Sequence, residues 1–267
     1  MSTDERLLQL CDLNLAESNR EHARFLPPHA IEERDGLLFT ASGTRSPAAP
    51  FNVAMRVGPD VADAAHLIGA AEAFFSARKR GFSIQVRSHV DRDLIERCEA
   101  IGYPRMSGRA PGMVVTERVE AKPVDAHVTS RVIDASNAAD FVSVAAQAYE
   151  PAGLKPAVTH KVFGQPVRWL APQWHVRVLC DHEQPVACAM LLFSHGIAGV
   201  YWVGTIPSAC GKGFAETLTR IITNDAFDHG AHAVTLQASA MGESVYRRIG
   251  YREITTYPWY IVLPDRD

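Results

Sequence analysis

The sequence lacks the features that mark several classes of protein. Its five cysteines, at positions 11, 98, 180, 188 and 210, include no CxxC pair and no clustered Cys/His spacing of a zinc site. We therefore expect free thiols in a reducing compartment and no metal. No apolar run has the length of a membrane span, and the charged first residues do not resemble a secretion signal. The expected location is cytoplasmic, with no membrane partner.

The sequence also lacks a large excess of charge of either sign. The formal net charge is -3 over 267 residues, with 47% hydrophobic and 21% charged residues. This balance is typical of a globular protein with room for one large domain or two small ones. It provides no general attraction for nucleic acid, which we exclude as a partner. Any anionic ligand must therefore be held by local groups.

The second half of the chain has a clear order of elements. Three β-rich runs, at 175–181, 185–194 and 197–205, are separated by the short connections HEQ and HG, which predicts an antiparallel meander. An amphipathic helix follows and ends near Gly230. A strand, a short helix and a last strand interrupted by Pro258 complete the pattern.

The first half repeats this order with nearly the same spacing. Phe51 to Gly81 spans 81 − 51 = 30 positions, and Val200 to Gly230 spans 230 − 200 = 30. A duplicated unit explains this agreement, although any two strand-helix-strand-helix segments align in a similar way. The stretch VEAKPVDAH, residues 119–127, is the predicted joint between the two halves.

A glycine-rich loop, GTIPSACGKGFA, leads from the third strand of the meander into the helix. The first amides of a helix are unpaired and carry partial positive charge, so a phosphate can bind there. Gly211 and Gly213 leave space for it, and Lys212 adds a charge, although a tight turn alone also needs glycine. The P-loop pattern is incomplete, and Glu216 replaces the last glycine of the dinucleotide fingerprint, so ATP and NAD are not expected.

In this context the second half resembles the GNAT acyltransferase superfamily, which binds acetyl-CoA. The family loop reads [QR]xxGxG or [QR]xxGxA, and here both glycines match while Ser208 replaces the leading Gln or Arg. The family's later Asn, small residue, Tyr, Gly and aromatic are matched in spacing by Ser239, Gly242, Tyr246, Gly250 and Tyr251. The resemblance covers about residues 128–263, and the first half matches in layout alone.

The resemblance implies an α/β (α+β) fold of two GNAT-like units, each a mixed, mostly antiparallel twisted sheet flanked by helices. We expect a degenerate, noncatalytic domain over residues 1–120 and a catalytic, acetyl-CoA-binding domain over residues 128–267. In the first half, Ala62, Asp63 and Ala64 align with the glycine loop, and Cys98 aligns with Tyr246. An acidic first turn repels pyrophosphate, and the aligned thiol is not the family's acid.

The resemblance also implies the site residues. The coenzyme pyrophosphate is expected on Cys210, Gly211, Lys212, Gly213, Phe214 and Ala215, and the pantetheine arm along Val203, Gly204 and Thr205. Ser239, in place of the family's Asn, is assigned to the same coenzyme. The N–H of Val203 would polarise the thioester, and Tyr246 would act as general acid, because a phenol with a pKa of about 10 stays protonated beside a thiol of about 8.5. Core packing is the alternative role for Tyr246, and no general base is assigned.

The expected activity is acetyl-CoA-dependent N-acetylation, with direct transfer to an amine of a small molecule or a protein. The alternative is a noncatalytic acyl-CoA-binding or sensing module, which the replacements at Ser208, Cys210 and Ser239 favour. The stretch 149–173, rich in proline and aromatics, is a candidate wall of the acceptor pocket. Exposed sheet edges would allow a homodimer.

Overall fold

The computed structural model describes residues 2–47, 50–58, 63–106 and 108–264. The chain divides into two compact units. Unit 1 consists of Met1–Met113, Gln237–Glu243 and Glu253–Asp267, and unit 2 consists of Val114–Leu236 and Ser244–Arg252.

Unit 1 is built on a six-stranded sheet with helices α1, α2 and α3. The strand order is β1-β2-β3-β4-β13-β5; β3 and β4 are parallel and the other neighbours are antiparallel. Aromatic residues of α2, β2 and β4 stack in the core of the unit. The elements are α1 (Thr3–Phe25), β1 (Ala30–Arg34), β2 (Leu37–Ala41), β3 (Asn52–Arg56), α2 (Ala64–Ser76), β4 (Phe82–Gln85), α3 (Arg92–Ile101), β5 (Arg105–Met106) and β13 (Trp259–Val262).

Unit 2 contains the predicted meander. Its strands lie in the order β11-β10-β9-β8-β7, antiparallel except for the parallel pair of β10 and β11. Its elements are β7 (Val128–Val132), α4 (Ala138–Tyr149), α5 (Pro156–Val162), α6 (Pro166–Trp169), β8 (Trp174–Asp181), β9 (Gln184–Ser194), β10 (Ile197–Thr205), a 3-10 turn (Pro207–Ala209), α7 (Phe214–Asp228), β11 (Val234–Gln237) and α8 (Glu243–Ile249). The boundary between the units falls within β11, within α8 and within two further strands, β6 (Pro111–Val115) and β12 (Arg252–Thr256).

Both faces of the sheet in unit 2 are covered. Helices α4 and α7 each contact β9 and β10, and residues 186–192 of β9 are all buried. The observed meander strands, 174–181, 184–194 and 197–205, confirm the sequence prediction within one residue. None of the helices in the described segments combines the length and the apolar character that a bilayer crossing requires.

The end of the chain differs from the sequence prediction. The last strand, predicted to be interrupted by Pro258, is two separate strands, because Pro258 has no N–H to donate and β12 ends before it. After the proline, β13 pairs antiparallel with β4, from Trp259 opposite Gln85 to Val262 opposite Phe82. Strand β13 accordingly belongs to unit 1, whereas the predicted boundaries place it with residues 128–267.

Candidate active site

Strand β10 separates from its parallel neighbour halfway along its length. The pairing with β11 covers only Ala198 opposite Val234 and Gly199 opposite Thr235. From residue 200 to residue 205, within the described chain, β10 has a strand partner on one side only, β9. This stretch contains Val203, Gly204 and Thr205, which the sequence analysis assigned to the pantetheine arm, so an extended ligand can pair with their edge of the strand.

The same stretch contains a β-bulge. Three residues lead from Tyr201 to Gly204 (204 − 201 = 3), whereas their partners Met190 and Cys188 are two apart (190 − 188 = 2). One extra residue therefore stands on β10, and Trp202 has a positive φ of 54°. Bulges of this kind redirect backbone groups and are frequent next to active sites.

Side chains of α4 and β9 bind the carbonyls that the bulge frees. The hydroxyl of Tyr149 donates to the carbonyl of Val203 at 3.1 Å, and the thiol of Cys188 donates to that of Trp202 at 3.3 Å. A Cβ on Gly204 would lie 2.7 Å from the Cβ of Ala148, so the close approach of α4 explains this glycine without a ligand. The role of Tyr149 was missed in the sequence analysis, because no local pattern relates it to a strand 54 residues later.

The loop between β10 and α7 presents free backbone amides. No acceptor in the described ranges binds the N–H groups of residues 211–216, and the first backbone bond of α7 runs from Thr217 to the carbonyl of Gly213 at 3.0 Å. Gly213 is the N-cap, and its φ of 82°, like the 80° of Gly211, lies in the left-handed region. No atom lies within 4 Å of a Cβ added at either glycine. The two glycines therefore fit both roles considered from the sequence. The turn needs their positive φ, and the open space next to the amides could hold a phosphate.

The charges at the loop are partly satisfied within unit 2. Lys212 Nζ lies 3.6 Å from Oδ2 of Asp181 at the end of β8. Glu216, in the first turn of α7, is buried and binds Arg220 at 3.1 Å and also Lys122. Hydrogen bonding to Lys122, reinforced by Arg220, lowers the pKa of Glu216. Its negative charge is thereby neutralised close to the predicted phosphate site.

Cys210 is exposed, unlike the other cysteines. Its thiol points back into the turn, 3.5 Å from the carbonyl of Ile206 and 3.7 Å from that of Thr205. The hydroxyl Oγ1 of Thr205 is buried and has no hydrogen-bond partner in the described chain. A buried polar atom without a partner is costly, so this hydroxyl is a candidate contact for a bound ligand.

Tyr246 lies on α8 and is half-buried. Its ring lies 6.0 Å from that of Tyr251, and burial raises the pKa of its phenol to about 12. The phenol is therefore protonated at every physiological pH.

Ser239 belongs to unit 1, where its hydroxyl accepts from the backbone N–H of Gly242 at 3.2 Å.

Comparison with known proteins identifies the architecture. No protein-family model and no curated protein matches this chain. A GCN5-related N-acetyltransferase from Kribbella flavida matches 100% of this chain and 97% of its own, with a TM-score of 0.73 and 21% identity. A tandem GNAT protein from the clavulanic acid biosynthesis pathway matches 99% of this chain and 96% of its own, with a TM-score of 0.61 and 12% identity. The protein has a tandem GNAT fold. The resemblance drawn from the sequence is confirmed at this level.

The two GNAT-like units differ at the start of one helix, which in unit 2 is α7, the helix after the glycine loop. In unit 1 the corresponding helix is α2, whose N-cap Asp63 accepts a hydrogen bond from the N–H of His66 at 2.8 Å. Asp93 also approaches this helix end, since it accepts a hydrogen bond from the N–H of Ala64. Buried Arg56 holds Asp93 through two bonds of 2.7 Å, and it lowers the pKa of that carboxyl. In unit 1 the carboxylates of Asp63 and Asp93 thus lie at the start of the helix. In unit 2 the amides at the corresponding helix start have no acceptor among the described residues.

Ala62 and Cys98 are the positions of the first half that align with Gly211 and Tyr246. Ala62 is outside the described residues. In unit 1 Cys98 is fully buried on α3, and burial raises the pKa of its thiol to about 12.

In unit 2 the aromatic residues of 149–173 pack inwards: Trp169 is buried, and its Nε1 donates to the carbonyl of Phe163 at 3.0 Å. These two rings therefore belong to the core behind the bulge instead of to an open acceptor wall.

Proposed function

We propose that this protein is an acetyl-CoA-dependent N-acetyltransferase whose unit 2 binds the coenzyme and transfers its acetyl group directly to an amine. The observation that carries the proposal is the row of unpaired amides at residues 211–216, above two glycines that leave the space open. A pyrophosphate accepts several such bonds and interacts favourably with the positive end of the α7 dipole. Lys212 would exchange its surface pair with Asp181 for the phosphate.

The thioester end fits the unpaired edge of β10. Among the described residues, no strand pairs with the free edge at Val203, Gly204 and Thr205. The buried hydroxyl of Thr205 likewise has no hydrogen-bond partner there. The N–H of Val203 is the proposed donor to the thioester carbonyl. A fixed donor aimed at a developing oxyanion lowers the barrier more than one in water does. Tyr149 positions this segment through its bond to the Val203 carbonyl.

Tyr246 is the proposed donor to the departing sulfur. Its proton is firmly held, because burial raises the pKa of the phenol to about 12. Complete transfer to a thiolate of pKa about 8.5 is uphill, so the main contribution of the phenol is a hydrogen bond that strengthens as negative charge develops on sulfur. This role requires a group that remains protonated, and Tyr246 meets the requirement.

Unit 1 is proposed to be noncatalytic. Asp63 and Asp93 occupy the amides at the start of α2 and would repel a pyrophosphate there. We therefore expect one molecule of acetyl-CoA per chain. The acceptor is proposed to be an amine of a small molecule or a protein, and we assign no residue as its base.

Calorimetric titration with acetyl-CoA, together with thiol release across a panel of amines, tests the proposal. We expect stoichiometric binding of one coenzyme and amine-dependent release of thiol. Binding without release for any amine would favour the noncatalytic acyl-CoA-binding module instead. Absence of binding would contradict both functions.

The role of Tyr246 has its own test. Tyr246→Phe should lower the rate of acetyl transfer by about a hundredfold or more, the range for loss of one donor to a developing negative charge, with acetyl-CoA affinity nearly unchanged. Tyr251→Phe is the matched control, because this buried neighbour loses only its 2.7 Å hydrogen bond to Thr223. Equal rates for Tyr246→Phe and the unmodified protein would remove Tyr246 from the mechanism.

A further inference from the structure

Two histidines and an aspartate meet at one end of the meander in unit 2. Strands β7 and β8 pair antiparallel with Val128 opposite Asp181, so His127 lies beside the residue that follows Asp181. The backbone N–H of His182 donates to the carbonyl of His127 at 3.0 Å, which holds the two residues side by side. This juxtaposition depends on strand pairing between segments more than 50 residues apart, so the sequence spacing that argued against a metal could not detect it.

The side chains converge on the same carboxylate. Nδ1 of His182 lies 2.8 Å from Oδ1 of Asp181, and Nε2 of His127 lies 3.6 Å from the same oxygen. The two imidazole rings are stacked, with centroids 4.2 Å apart and an interplanar angle of 20°. One potential ligand atom from each residue lies within 4.8 Å of the other two. Small rotations of the two exposed imidazole side chains would bring all three ligand atoms to one ion.

The backbone at this corner is held in an uncommon conformation. The loop between Asp181 and Gln184, which pair across the hairpin, consists of His182 and Glu183, with positive φ of 48° and 67°. A two-residue hairpin loop of this kind normally takes Asn-Gly or Asp-Gly, because other side chains are strained there. Histidine is among the non-glycine residues that adopt a positive φ most readily, and the two-residue turn fixes His182 next to Asp181.

The donor set selects a class of ion. Imidazole nitrogen with one carboxylate suits Zn²⁺, Co²⁺ or Ni²⁺, whereas Mg²⁺ and Ca²⁺ prefer oxygen ligands alone. Three protein ligands leave coordination positions for water or another ligand.

We propose that His127, Asp181 and His182 form a binding site for a divalent transition metal of the Zn²⁺ class. The ion competes with Lys212, whose ammonium lies 3.6 Å from Oδ2 of Asp181 and repels a second cation. The site is therefore weakened by Lys212 and becomes stronger when that charge is removed.

Titration of the full chain with Co²⁺, followed by the visible absorption of the bound ion, tests the site, and calorimetry with Zn²⁺ provides the affinity. We expect one ion per chain, and His127→Ala and His182→Ala should each weaken binding by roughly tenfold or more. His160→Ala, which removes an exposed histidine of α5, is the matched control and should change nothing. Lys212→Met should strengthen binding by roughly twofold to fivefold, as expected for loss of a surface charge.

Several results would overturn the proposal. One is the same affinity in His127→Ala and in the unmodified chain. Another is loss of Co²⁺ binding in Cys210→Ser alone, which would assign the ion to the exposed thiol. A third is the absence of binding at micromolar Zn²⁺. Since no arm of the experiment uses acetyl-CoA, its outcome is independent of the proposed transferase activity.

Discussion

Replacing Gly213 with aspartate or asparagine tests whether a phosphate binds at the start of α7. Gly213 is the N-cap of this helix, and a side chain there would enter space in which no atom lies within 4 Å of the added Cβ. The N-cap of α2 in unit 1 is already an aspartate, Asp63, which binds the helix amide of His66 at 2.8 Å. Gly213→Asp therefore gives unit 2 the anion that unit 1 carries.

The two variants separate charge from shape. Asparagine and aspartate have nearly the same size, and both tolerate the left-handed conformation that Gly213 adopts at φ 82°. The strain of this conformation, about 1 kcal/mol, is common to both and cancels in the comparison. A unit charge at about 4 Å from each of the two pyrophosphate charges costs about 1 kcal/mol per pair in water. The total of about 2 kcal/mol corresponds to roughly 30-fold weaker binding of acetyl-CoA to the aspartate variant.

Calorimetric titration of both variants with acetyl-CoA at low and high salt measures this difference. We expect the gap between aspartate and asparagine to shrink as salt rises, because mobile ions screen charges near the surface. Urea denaturation provides the control that both variants are folded to the same extent. Equal affinities of the aspartate and asparagine variants at low salt would refute a phosphate at this helix end.

Two further predictions concern the scaffold. Gly204→Ala should destabilise the protein by about 1–3 kcal/mol, because the new methyl would lie 2.7 Å from the Cβ of Ala148 on α4; unchanged stability in urea denaturation would contradict this close packing. In unit 1, burial lowers the pKa of His22 to about 4, so the unfolded chain binds a proton between pH 6.5 and 4 that the folded chain does not. Stability should therefore fall as the pH falls through this range, by about 2 kcal/mol at pH 5 from this residue. His22→Gln should remove that part of the pH dependence, and an unchanged pH profile would show that His22 is not the group responsible.

Much of unit 2 could be predicted from local patterns. The alternation and the short turns of residues 174–205 define the meander, because each hairpin is determined by residues close together in the chain. The two glycines before α7 were identified in the same way, since their positive φ is a local requirement of the turn. The role of Tyr246 remains a prediction, and the structure adds only that its phenol is half-buried and firmly protonated.

Other features depended on contacts between distant residues. The bulge at Trp202 is held by Tyr149, 54 positions away from the carbonyl that it binds, and the pairing of β13 with β4 joins the end of the chain to its first half. The sequence by itself determined the meander, the helix that follows it and the two glycines before that helix, because those choices depend on neighbouring residues. Only the tertiary structure decided which distant strands pair, that Asp93 joins Asp63 at the helix end in unit 1, and that His127 reaches Asp181, because each of these depends on the alignment of strands or helices that are far apart in the chain.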